Sequence, residues 1–575
     1  MLSTLLDNLL RGRRAKGALA QAGAAFDAGD TAQAIALIEP AYRAAPHDAR
    51  LMSALGQALI ACDQFEQGFA LVENAVRAAP ELTPARVAIA RELQYAGRIG
   101  LALEHLRAAA ALEPDAPHVA RALVRPLLET CDWTQATRVR EDLLERIRGG
   151  RPWTDRITPM DALLLGLPRA ARARSAAARA AEIERYERDG ASLGRRPIAR
   201  DGRIRIAYLS GDFRDHPVTH LAWRLFERHD RSAFEVHAFS FGRDDGSVHR
   251  RRVMEGADRF VDVRGHSNAA IARTIHAAEI DVLVDLGGHA PGARIGILAH
   301  RPAPLQAHYL GYPATTGARF VDYFLADAVV APAALEAEFT ERLVRLGDTF
   351  MISDETIAAA PPVQRAQHGL TDDRFIFVNF NQNSRIDEEV WAAWMEILAA
   401  VPRSVLWLKF ANDIACANLR SAAVARGVDG GRIVFARDLP DKAAHISRLR
   451  LADLGLDTFG RYNGHTSTAD ALWAGVPVVT TPSDCFPGRV AASLLAASGM
   501  SECVVPDVAA YKAFAIGYAL DAQRRNAARA ALQSAQGGAA FFRPERIVRS
   551  LERAYLAMVE RARKGEAPAT IDLPT

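Results

Sequence analysis

The chain has 575 residues, of which 49% are hydrophobic and 24% charged, and its formal net charge at pH 7 is +3. A chain of this length exceeds one hydrophobic core, so three or four globular domains are predicted. The nearly balanced charge argues against a nucleic-acid binder, and no apolar run approaches the roughly 18 residues of a membrane span. Five scattered cysteines without a CxxC pair predict a cytoplasmic protein and offer no cysteine metal site.

The first part of the chain carries an internal repeat. Pro46, Pro80 and Pro114 recur every 34 residues. In the same register lie the small residues Ala34, Gly68, Ala102 and Ala136, a second column of Ala22, Gly56 and Ala90, and turn positions at Gly29, Asp63, Gly97 and Cys131. This spacing is typical of tetratricopeptide repeats, whose paired helices approach closely at small residues. An α-helical solenoid is therefore predicted over residues 17–147, with a groove for a polypeptide.

Residues 148–202 are predicted to form a helical connector. This segment begins with Gly149-Gly150, contains an Arg- and Ala-rich helix over residues 169–188, and continues without apolar periodicity. We interpret the basic helix as a solvated surface that holds no ligand.

Strands and helices alternate from Arg203 onward. Strands are predicted at residues 204–210, 234–240, 280–286, 306–310 and 321–326. This alternation predicts a doubly wound parallel sheet over residues 203–355, with ligands beyond the carboxyl ends of the strands. The loops at that edge include His216 and His289, each of which can be a general base, a phosphate partner or a plain turn residue.

A second sheet is predicted over residues 365–550, followed by a C-terminal helix and tail at 551–575. Its strands are predicted at residues 375–381, 405–410, 432–435, 451–457, 476–481 and 503–505. The loop that follows the first of these strands directs amides and Arg385 toward the ligand edge. The helix at 441–450 carries Lys442, His445 and Arg448 on one stripe. The alternative for that helix is an exposed surface with salt-bridging charges.

The stretch from Leu451 to Thr481 is predicted as strand, glycine turn, helix and strand. His465, Thr466 and Ser467 fall at the helix start, where free amides and the helix dipole attract anions. Asp470 follows one turn later on the face of Thr466, where it can accept a ribose hydroxyl. This pattern indicates a nucleoside diphosphate site. An ordinary helix cap with an i,i+4 polar pair is the alternative.

Several segments of both lobes resemble the protein O-GlcNAc transferases of glycosyltransferase family 41, including their bacterial and SPINDLY-type members. These segments are residues 212–221, 301–306, 310–313, 379–382, 404–408, 463–466 and 470–477. The resemblance implies a GT-B fold, in which two Rossmann-like lobes follow the repeats. It also implies inverting transfer of a sugar, by default GlcNAc from UDP-GlcNAc, to Ser/Thr hydroxyls of a protein held by the repeat groove.

The same resemblance implies roles for individual residues. It places His465, Thr466 and Ser467 on the diphosphate, Asp470 and Lys442 on the ribose, His445 and Arg448 on the base, Gln382 in the pocket, and His216 near the acceptor as a candidate base. No metal cofactor is expected, because cationic side chains and helix amides offset the charge of the leaving group.

One departure from the family concerns the segment Asn383-Ser384-Arg385, where the O-GlcNAc enzymes have Leu-Tyr-Lys with the lysine on the leaving phosphate. Arg385 keeps the positive charge but presents a planar fork. Donor identity therefore stays open, and two alternatives remain. One is a dedicated bacterial glycosyltransferase, for instance for flagellin, that uses another nucleotide sugar such as GDP-fucose or a CMP-linked nonulosonate. The other is a catalytically weak repeat adaptor that binds nucleotide.

The repeats are expected to recruit the acceptor and not to build the active site. Asn74 is their only asparagine, so the asparagine ladder of the animal enzymes is absent. Deletion of residues 1–147 is accordingly expected to leave nucleotide binding nearly intact.

Overall fold

Eight helices open the structure, a computed structural model that describes residues 2–149, 157–187, 193–194, 196–198, 202–355, 361–439 and 441–575. They are α1 (Leu2–Asp27), α2 (Thr31–Ala44), α3 (Ala49–Ala61), α4 (Phe65–Ala78), α5 (Thr83–Tyr95), α6 (Ile99–Leu112), α7 (Pro117–Glu129) and α8 (Trp133–Arg148). Consecutive helices pack as the pairs α1–α2, α3–α4, α5–α6 and α7–α8. The three repeat prolines follow the ends of α2, α4 and α6, where a proline cannot continue a helix.

The small residues that recur at fixed places in the repeats are needed because paired helices approach closely there. A Cβ added to Gly56 would lie 2.6 Å from the carbonyl oxygen of Gly68, and one added to Gly68 would lie 2.5 Å from the oxygen of Gly56. The turn that joins the two helices of each pair contains one residue with positive φ. These residues are Gly29 at 81°, Asp63 at 63°, Gly97 at 73° and Cys131 at 53°. The predicted repeat solenoid is confirmed.

The connector contains the helices α9 (Pro159–Leu164) and α10 (Arg169–Glu187). One face of α10, with Ala176, Ala180 and Ile183, is buried. Glu187 accepts a hydrogen bond of 2.7 Å from Nε2 of His300 in the following lobe. The interpretation of this helix as a solvated surface was therefore wrong for that face, because its alanines allow close packing. Gly150 and Arg188 lie outside the described residues.

The next lobe alternates strands and helices. It contains β1 (Ile204–Ser210), α11 (Pro217–Arg228), β2 (Phe234–Ser240), α12 (Val248–Gly256), β3 (Arg259–Asp262), α13 (Asn268–Ala277), β4 (Val282–Asp285), α14 (Gly296–Ala299), β5 (Leu305–His308), β6 (Tyr323–Asp327) and β7 (Arg342–Leu346).

The last lobe repeats that alternation. It contains β8 (Phe375–Asn379), α15 (Glu388–Ala400), β9 (Ser404–Lys409), α16 (Asp413–Ala425), β10 (Ile433–Ala436), α17 (Lys442–Leu449), β11 (Leu454–Leu456), α18 (Thr466–Trp473), β12 (Val478–Val479), α19 (Val490–Ala497), α20 (Val508–Leu520) and α21 (Ala522–Gln536). The chain then continues through α22 (Pro544–Arg563) and β13 (Ile571–Asp572).

Two parallel sheets result, with the strand orders β13-β7-β6-β5-β4-β1-β2-β3 and β10-β9-β8-β11-β12. The predicted doubly wound sheets are confirmed. The strands β3, β7 and β13 were not predicted, and the strand predicted at 503–505 is reduced to one bridge between Thr480 and Val504. In the described part of the chain, no helix is both long and apolar enough to cross a membrane.

The C-terminal segment returns to the first sheet. β13 pairs with β7, and the Tyr555 hydroxyl of α22 lies 3.0 Å from the hydroxyl of Tyr208 on β1. Both tyrosine rings are fully buried. The C-terminal helix and tail at 551–575 therefore complete the core and the edge of the first lobe, a role that the sequence did not indicate.

The repeats are bonded to both lobes. At one end, the Asp30 carboxylate accepts a hydrogen bond of 3.0 Å from the backbone nitrogen of Asn268. At the other end, Nε1 of Trp133 donates to the carbonyl of Ile386 at 2.9 Å, and its ring centroid lies 5.9 Å from that of Trp391. Ile386 directly follows Arg385. The sequence predicted that residues 1–147 are independent of the active site. That prediction did not foresee these contacts with both lobes.

Replacing Trp133 by alanine is expected to lower the free energy of unfolding by roughly 2–3 kcal/mol, below the range of about 3–5 kcal/mol for a fully buried tryptophan, because Trp133 is half-buried. It should also weaken binding of UDP, since the lost ring supports the turn that carries Arg385. Thermal melting and calorimetric titration with UDP measure the two effects. Trp133→Phe keeps a ring but removes the N–H donor. Its stability and its UDP affinity should lie between those of the wild type and of Trp133→Ala. Wild-type UDP affinity in both variants would contradict the coupling.

Candidate active site

The site forms where the adjacent strands β8 and β11 end. Nδ2 of Asn379 donates to the carbonyl of Leu456 at 2.7 Å, and Nδ2 of Asn381 lies 3.1 Å from Oγ1 of Thr458. Because the carboxyl ends of parallel strands meet at one edge, these bonds hold the amide-rich loop against the glycine turn. The two loops were predicted at this edge, and the structure brings them together.

Asp457 fixes the glycine turn that precedes α18. Its two carboxylate oxygens accept hydrogen bonds from the Gly464 nitrogen at 2.7 Å and from the Thr480 hydroxyl at 2.6 Å. Burial raises the pKa of Asp457 to about 7, against these hydrogen bonds and the nearby charge of Arg385. A Cβ on Gly464 would lie 2.1 Å from Oγ1 of Thr468, so only glycine fits. The sequence analysis missed this positioning role, which an aspartate between a buried strand and a glycine turn could have signalled.

His465 stands at the first position before α18 and is half-buried. Its ring stacks on Tyr462 with 4.7 Å between centroids, and its Nε2 donates to the carbonyl of Pro487 at 3.1 Å. Burial, assisted by the charge of Arg385, lowers the pKa of His465 to about 3. A carbonyl can only accept, so the neutral ring carries its proton on Nε2 and Nδ1 is an acceptor. His465 must gain a proton before it can donate to phosphate.

Arg385 lies in a single 3-10 turn beside this helix start. Its Cζ atom is 4.1 Å from the Tyr462 ring centroid, and Nη1 donates to the carbonyl of Asn463 at 2.8 Å and to Oδ1 of Asn381 at 3.1 Å. Ser467 also donates to that Asn381 oxygen. Burial lowers the pKa of Arg385, yet a guanidinium stays charged at neutral pH. Within the described residues both of its hydrogen bonds use Nη1, which leaves Nε and Nη2 for a ligand.

Asp470 joins α18 to α17. Nζ of Lys442 lies 2.5 Å and 2.6 Å from its two carboxylate oxygens, and Nε2 of His445 lies 3.4 Å from Oδ2. Burial by itself would raise the pKa of Asp470, but Lys442 and His445 outweigh it and hold the pKa below its ordinary value. The predicted ribose residues therefore form one ionised pair at the edge of the helix start.

Arg448 extends this cluster toward an aromatic surface. Its Cζ atom is 4.8 Å from the centroid of Phe380, and its Nη2 lies 2.9 Å from Nδ1 of His445. The rings of Phe380 and His445 are 5.6 Å apart. Arg448 is buried, so the alternative of an exposed salt-bridged helix does not describe this face. Phe380 was not predicted as a site residue, although an aromatic side chain directly after a strand is a usable signal.

The remaining candidates lie around this cluster or in the first lobe. Gln382 is exposed and Thr466 is half-buried. Nδ1 of His216, after β1, accepts a hydrogen bond of 3.3 Å from the Val218 nitrogen and lies 3.6 Å from Oδ2 of Asp212. Burial lowers the pKa of His216. His289, after β4, contacts the carbonyl of Thr316 at 2.7 Å through Nε2, and burial lowers its pKa to about 4. The hydrogen-bond partners named here for both histidines belong to the first lobe.

Lys442→Ala is expected to weaken UDP binding about tenfold or more, because it leaves a buried carboxylate without its main cation and a hydrogen bond to a charged group contributes about 1.5–3 kcal/mol. Lys512→Ala is the matched control, since Nζ of Lys512 is likewise 2.6 Å from a carboxylate, that of Glu396 on the surface. Exposed pairs of that kind contribute about 0–1 kcal/mol. Calorimetry with UDP compares the two variants, and equal affinities would remove Lys442 from the site.

Two parallel sheets of alternating strands and helices, with a helix start at the strand ends of the second, are the architecture of the GT-B class of nucleotide-sugar transferases. The profile of glycosyl transferase family 41 matches residues 131–360 and 355–551, and a tetratricopeptide repeat profile matches residues 25–91. The chain belongs to glycosyltransferase family 41.

Several curated relatives are similar to this chain. A probable UDP-N-acetylglucosamine–peptide N-acetylglucosaminyltransferase, SEC of Arabidopsis thaliana, is 36% identical over 382 residues, which cover 65% of this chain and 39% of the relative. The corresponding enzyme of Caenorhabditis elegans is 30% identical over 453 residues, with 59% and 39% covered. The chain thus spans about two fifths of the length of these relatives. The structure of an O-GlcNAc transferase mutant from Thermobaculum terrenum superimposes with a TM-score of 0.68 at 26% identity and covers 96% of this chain and 99% of its own.

Proposed function

We propose that this protein is an inverting protein O-glycosyltransferase that transfers GlcNAc from UDP-GlcNAc to Ser/Thr hydroxyls of a protein acceptor. The observation that carries the proposal is the start of α18, where the helix amides, the Arg385 guanidinium and the Lys442–Asp470 pair converge. A nucleoside diphosphate needs such an arrangement, with donors for its phosphates and an ionised acceptor for its ribose. The names of the relatives support GlcNAc as the sugar.

In this proposal each group of the second lobe has one task. The amides of α18 and the free nitrogens of Arg385 stabilise the negative charge that builds on the departing diphosphate. Asp470, kept ionised by Lys442, accepts a ribose hydroxyl. The uracil ring packs near Phe380, where Arg448 and His445 supply polar contacts. Because these groups offset the leaving charge, the reaction as proposed uses no metal cofactor.

His216 is the proposed base for the acceptor hydroxyl. In the structure Nδ1 accepts a hydrogen bond from the Val218 N–H at 3.3 Å, so the neutral ring carries its proton on Nε2. Acting as the base requires the other tautomer, in which Nδ1 gives up this bond and donates to Asp212. The unprotonated Nε2 then accepts the hydroxyl proton as the oxygen attacks the anomeric carbon. The hydroxyl oxygen attacks from the side opposite the diphosphate. The bond between the anomeric carbon and the diphosphate oxygen breaks, and the configuration at that carbon is inverted. The proton passes to Nε2, and the bonding electrons leave with the diphosphate.

The repeats are proposed to bring the acceptor protein to the site. A pocket between α2, α3 and α4 is lined by Glu39, Tyr42, Arg43, Leu55, Gln67, Ala70, Leu71 and Asn74. Its mixture of charged, aromatic and amide groups suits a polypeptide segment. All five cysteines are free, which supports the cytoplasm as the proposed compartment.

Two measurements on the purified full-length chain test the proposal. Calorimetric titration with UDP, GDP and CMP should show selective binding of UDP. Incubation with UDP-GlcNAc labelled in the sugar and a bacterial lysate should then label proteins through an alkali-labile bond. Selective binding of GDP or CMP would instead indicate that the donor is a GDP-linked or CMP-linked sugar. Tight UDP binding without transfer from any nucleotide sugar would favour the adaptor alternative.

A further inference from the structure

Three side chains that the proposed transfer does not use converge near the starts of α11 and α12. Oδ1 of Asp215 lies 2.7 Å from Nε2 of His220 and 4.0 Å from Nε2 of His249. One possible ligand atom from each of the three residues lies within 4.8 Å of those of the other two. The two imidazole rings pack with 4.1 Å between centroids and 40° between their planes.

These separations are close to those in the ligand shell of a small divalent ion. A zinc ion with ligands at about 2.0–2.1 Å places neighbouring tetrahedral ligand atoms about 3.4 Å apart. The 2.7 Å contact between His220 and Asp215 is a hydrogen bond that an ion would replace, and the 4.0 Å separation of Asp215 from His249 would shorten. Each change amounts to less than about 1 Å. Two imidazoles and one carboxylate are a set that such ions take. Nδ1 of His249 is buried and has no hydrogen-bond partner among the described residues. Its ring is thus placed by packing on His220, and its Nε2 is the ring nitrogen that lies near Asp215.

The backbone around these side chains is already organised. The Asp215 nitrogen donates to Oδ2 of Asp245 at 2.7 Å, and Oδ1 of Asp245 accepts from the Ser247 nitrogen at 3.0 Å. Ser247 caps α12 by accepting from the Arg250 nitrogen at 3.2 Å. The loop before α11 and the loop before α12 are therefore tied together. Each helix then presents its histidine from a fixed first turn.

Access from solvent is also suitable. The side chain of Asp215 is 66% exposed, and those of His220 and His249 are 26% and 20% exposed. The three ligands approach from the protein side, so the remaining coordination position faces water. A site with three protein ligands and one open position is a common form of zinc site.

We propose that Asp215, His220 and His249 bind one divalent transition-metal ion of the Zn²⁺ type, with water as the fourth ligand. The site lies on α11 and α12 of the first lobe, whereas Arg385 and α18 belong to the second. It therefore shares no residue with the proposed diphosphate site. Because Asp215 directly precedes His216, the ion holds in place the loop that carries His216.

The test is a titration of the full-length chain, stripped with EDTA, with Co²⁺ as a spectroscopic probe and Zn²⁺ as competitor. We expect one Co²⁺ per chain, visible ligand-field bands of a site with nitrogen ligands, and loss of these bands when Zn²⁺ is added. His220→Ala and His249→Ala should each weaken Co²⁺ binding at least tenfold. His47→Ala, which removes an exposed histidine of the repeats, should leave Co²⁺ binding unchanged.

Melting temperatures in EDTA establish that the variants are folded. Should an alanine variant melt early, Asp215→Asn replaces it, since it removes only the charge of the most exposed ligand and should also weaken Co²⁺ binding at least tenfold. The proposal is overturned by a wild-type chain without ligand-field bands, or by folded variants that bind Co²⁺ as the wild type does.

Discussion

Replacing Arg385 by alanine is expected to lower kcat of sugar transfer by about 10²–10³-fold and to change KM for the donor far less. The guanidinium is held by Tyr462, Asn463 and Asn381 with Nε and Nη2 directed to no described protein acceptor. Such a preorganised donor acts most strongly on the charge that develops as the diphosphate leaves, and that charge is greatest in the transition state. Steady-state kinetics with UDP-GlcNAc and an acceptor from the lysate screen measure both constants.

Arg385→Lys separates the charge from the shape of the guanidinium. Lysine keeps the positive charge, but a single ammonium cannot stack on Tyr462 and bond both Asn463 and Asn381 while it faces a ligand. We expect kcat to fall about tenfold, between wild type and Arg385→Ala. Unchanged transfer in Arg385→Ala would exclude this residue from catalysis. If the wild type also transferred no sugar, the enzyme proposal would fail and the adaptor alternative would stand.

His465→Ala is expected to weaken binding of UDP about tenfold to a hundredfold at pH 6 and to change binding of uridine little, because the proposed contact is to phosphate. The magnitude follows from about 1.5–3 kcal/mol for a charge-assisted hydrogen bond. Paired titrations with UDP and uridine measure the difference. Equal losses for the two ligands would indicate that the start of α18 has collapsed and would refute the phosphate contact.

The pH dependence of that loss tests the proton inferred for His465. In the free protein the pKa is lowered to about 3, so the ring is neutral, and a bound diphosphate raises the pKa by its negative charge. A group with a higher pKa in the complex takes up a proton on binding, and affinity then increases as pH falls through the pKa of the complex. The ratio of wild-type to His465→Ala affinity should thus be larger at pH 6 than at pH 8. UDP ionises equally in both titrations, so the effect of its own ionisation cancels in the ratio. A ratio that does not change with pH would contradict proton uptake by His465.

Local sequence patterns determined the layout of this protein. The 34-residue register predicted the repeats because close helix packing requires a small residue at the same place in each pair, as Gly56 and Gly68 show. The alternation of apolar runs with helical segments predicted both sheets, and the glycine turn before His465 predicted the helix start. All of these features depend on neighbours within a few turns of the chain, so the sequence expresses them directly.

Tertiary structure alone decided which distant segments meet. The bond from Trp133 to Ile386 spans 253 residues, and β13 completes a sheet whose nearest strand, β7, lies far earlier in the chain. Asp457 became a positioning residue because two hydrogen bonds reach it from Gly464 and Thr480. Short-range periodicity carries no information on such pairings. They depend on how two sheets and a solenoid bury their remaining apolar and polar groups against one another.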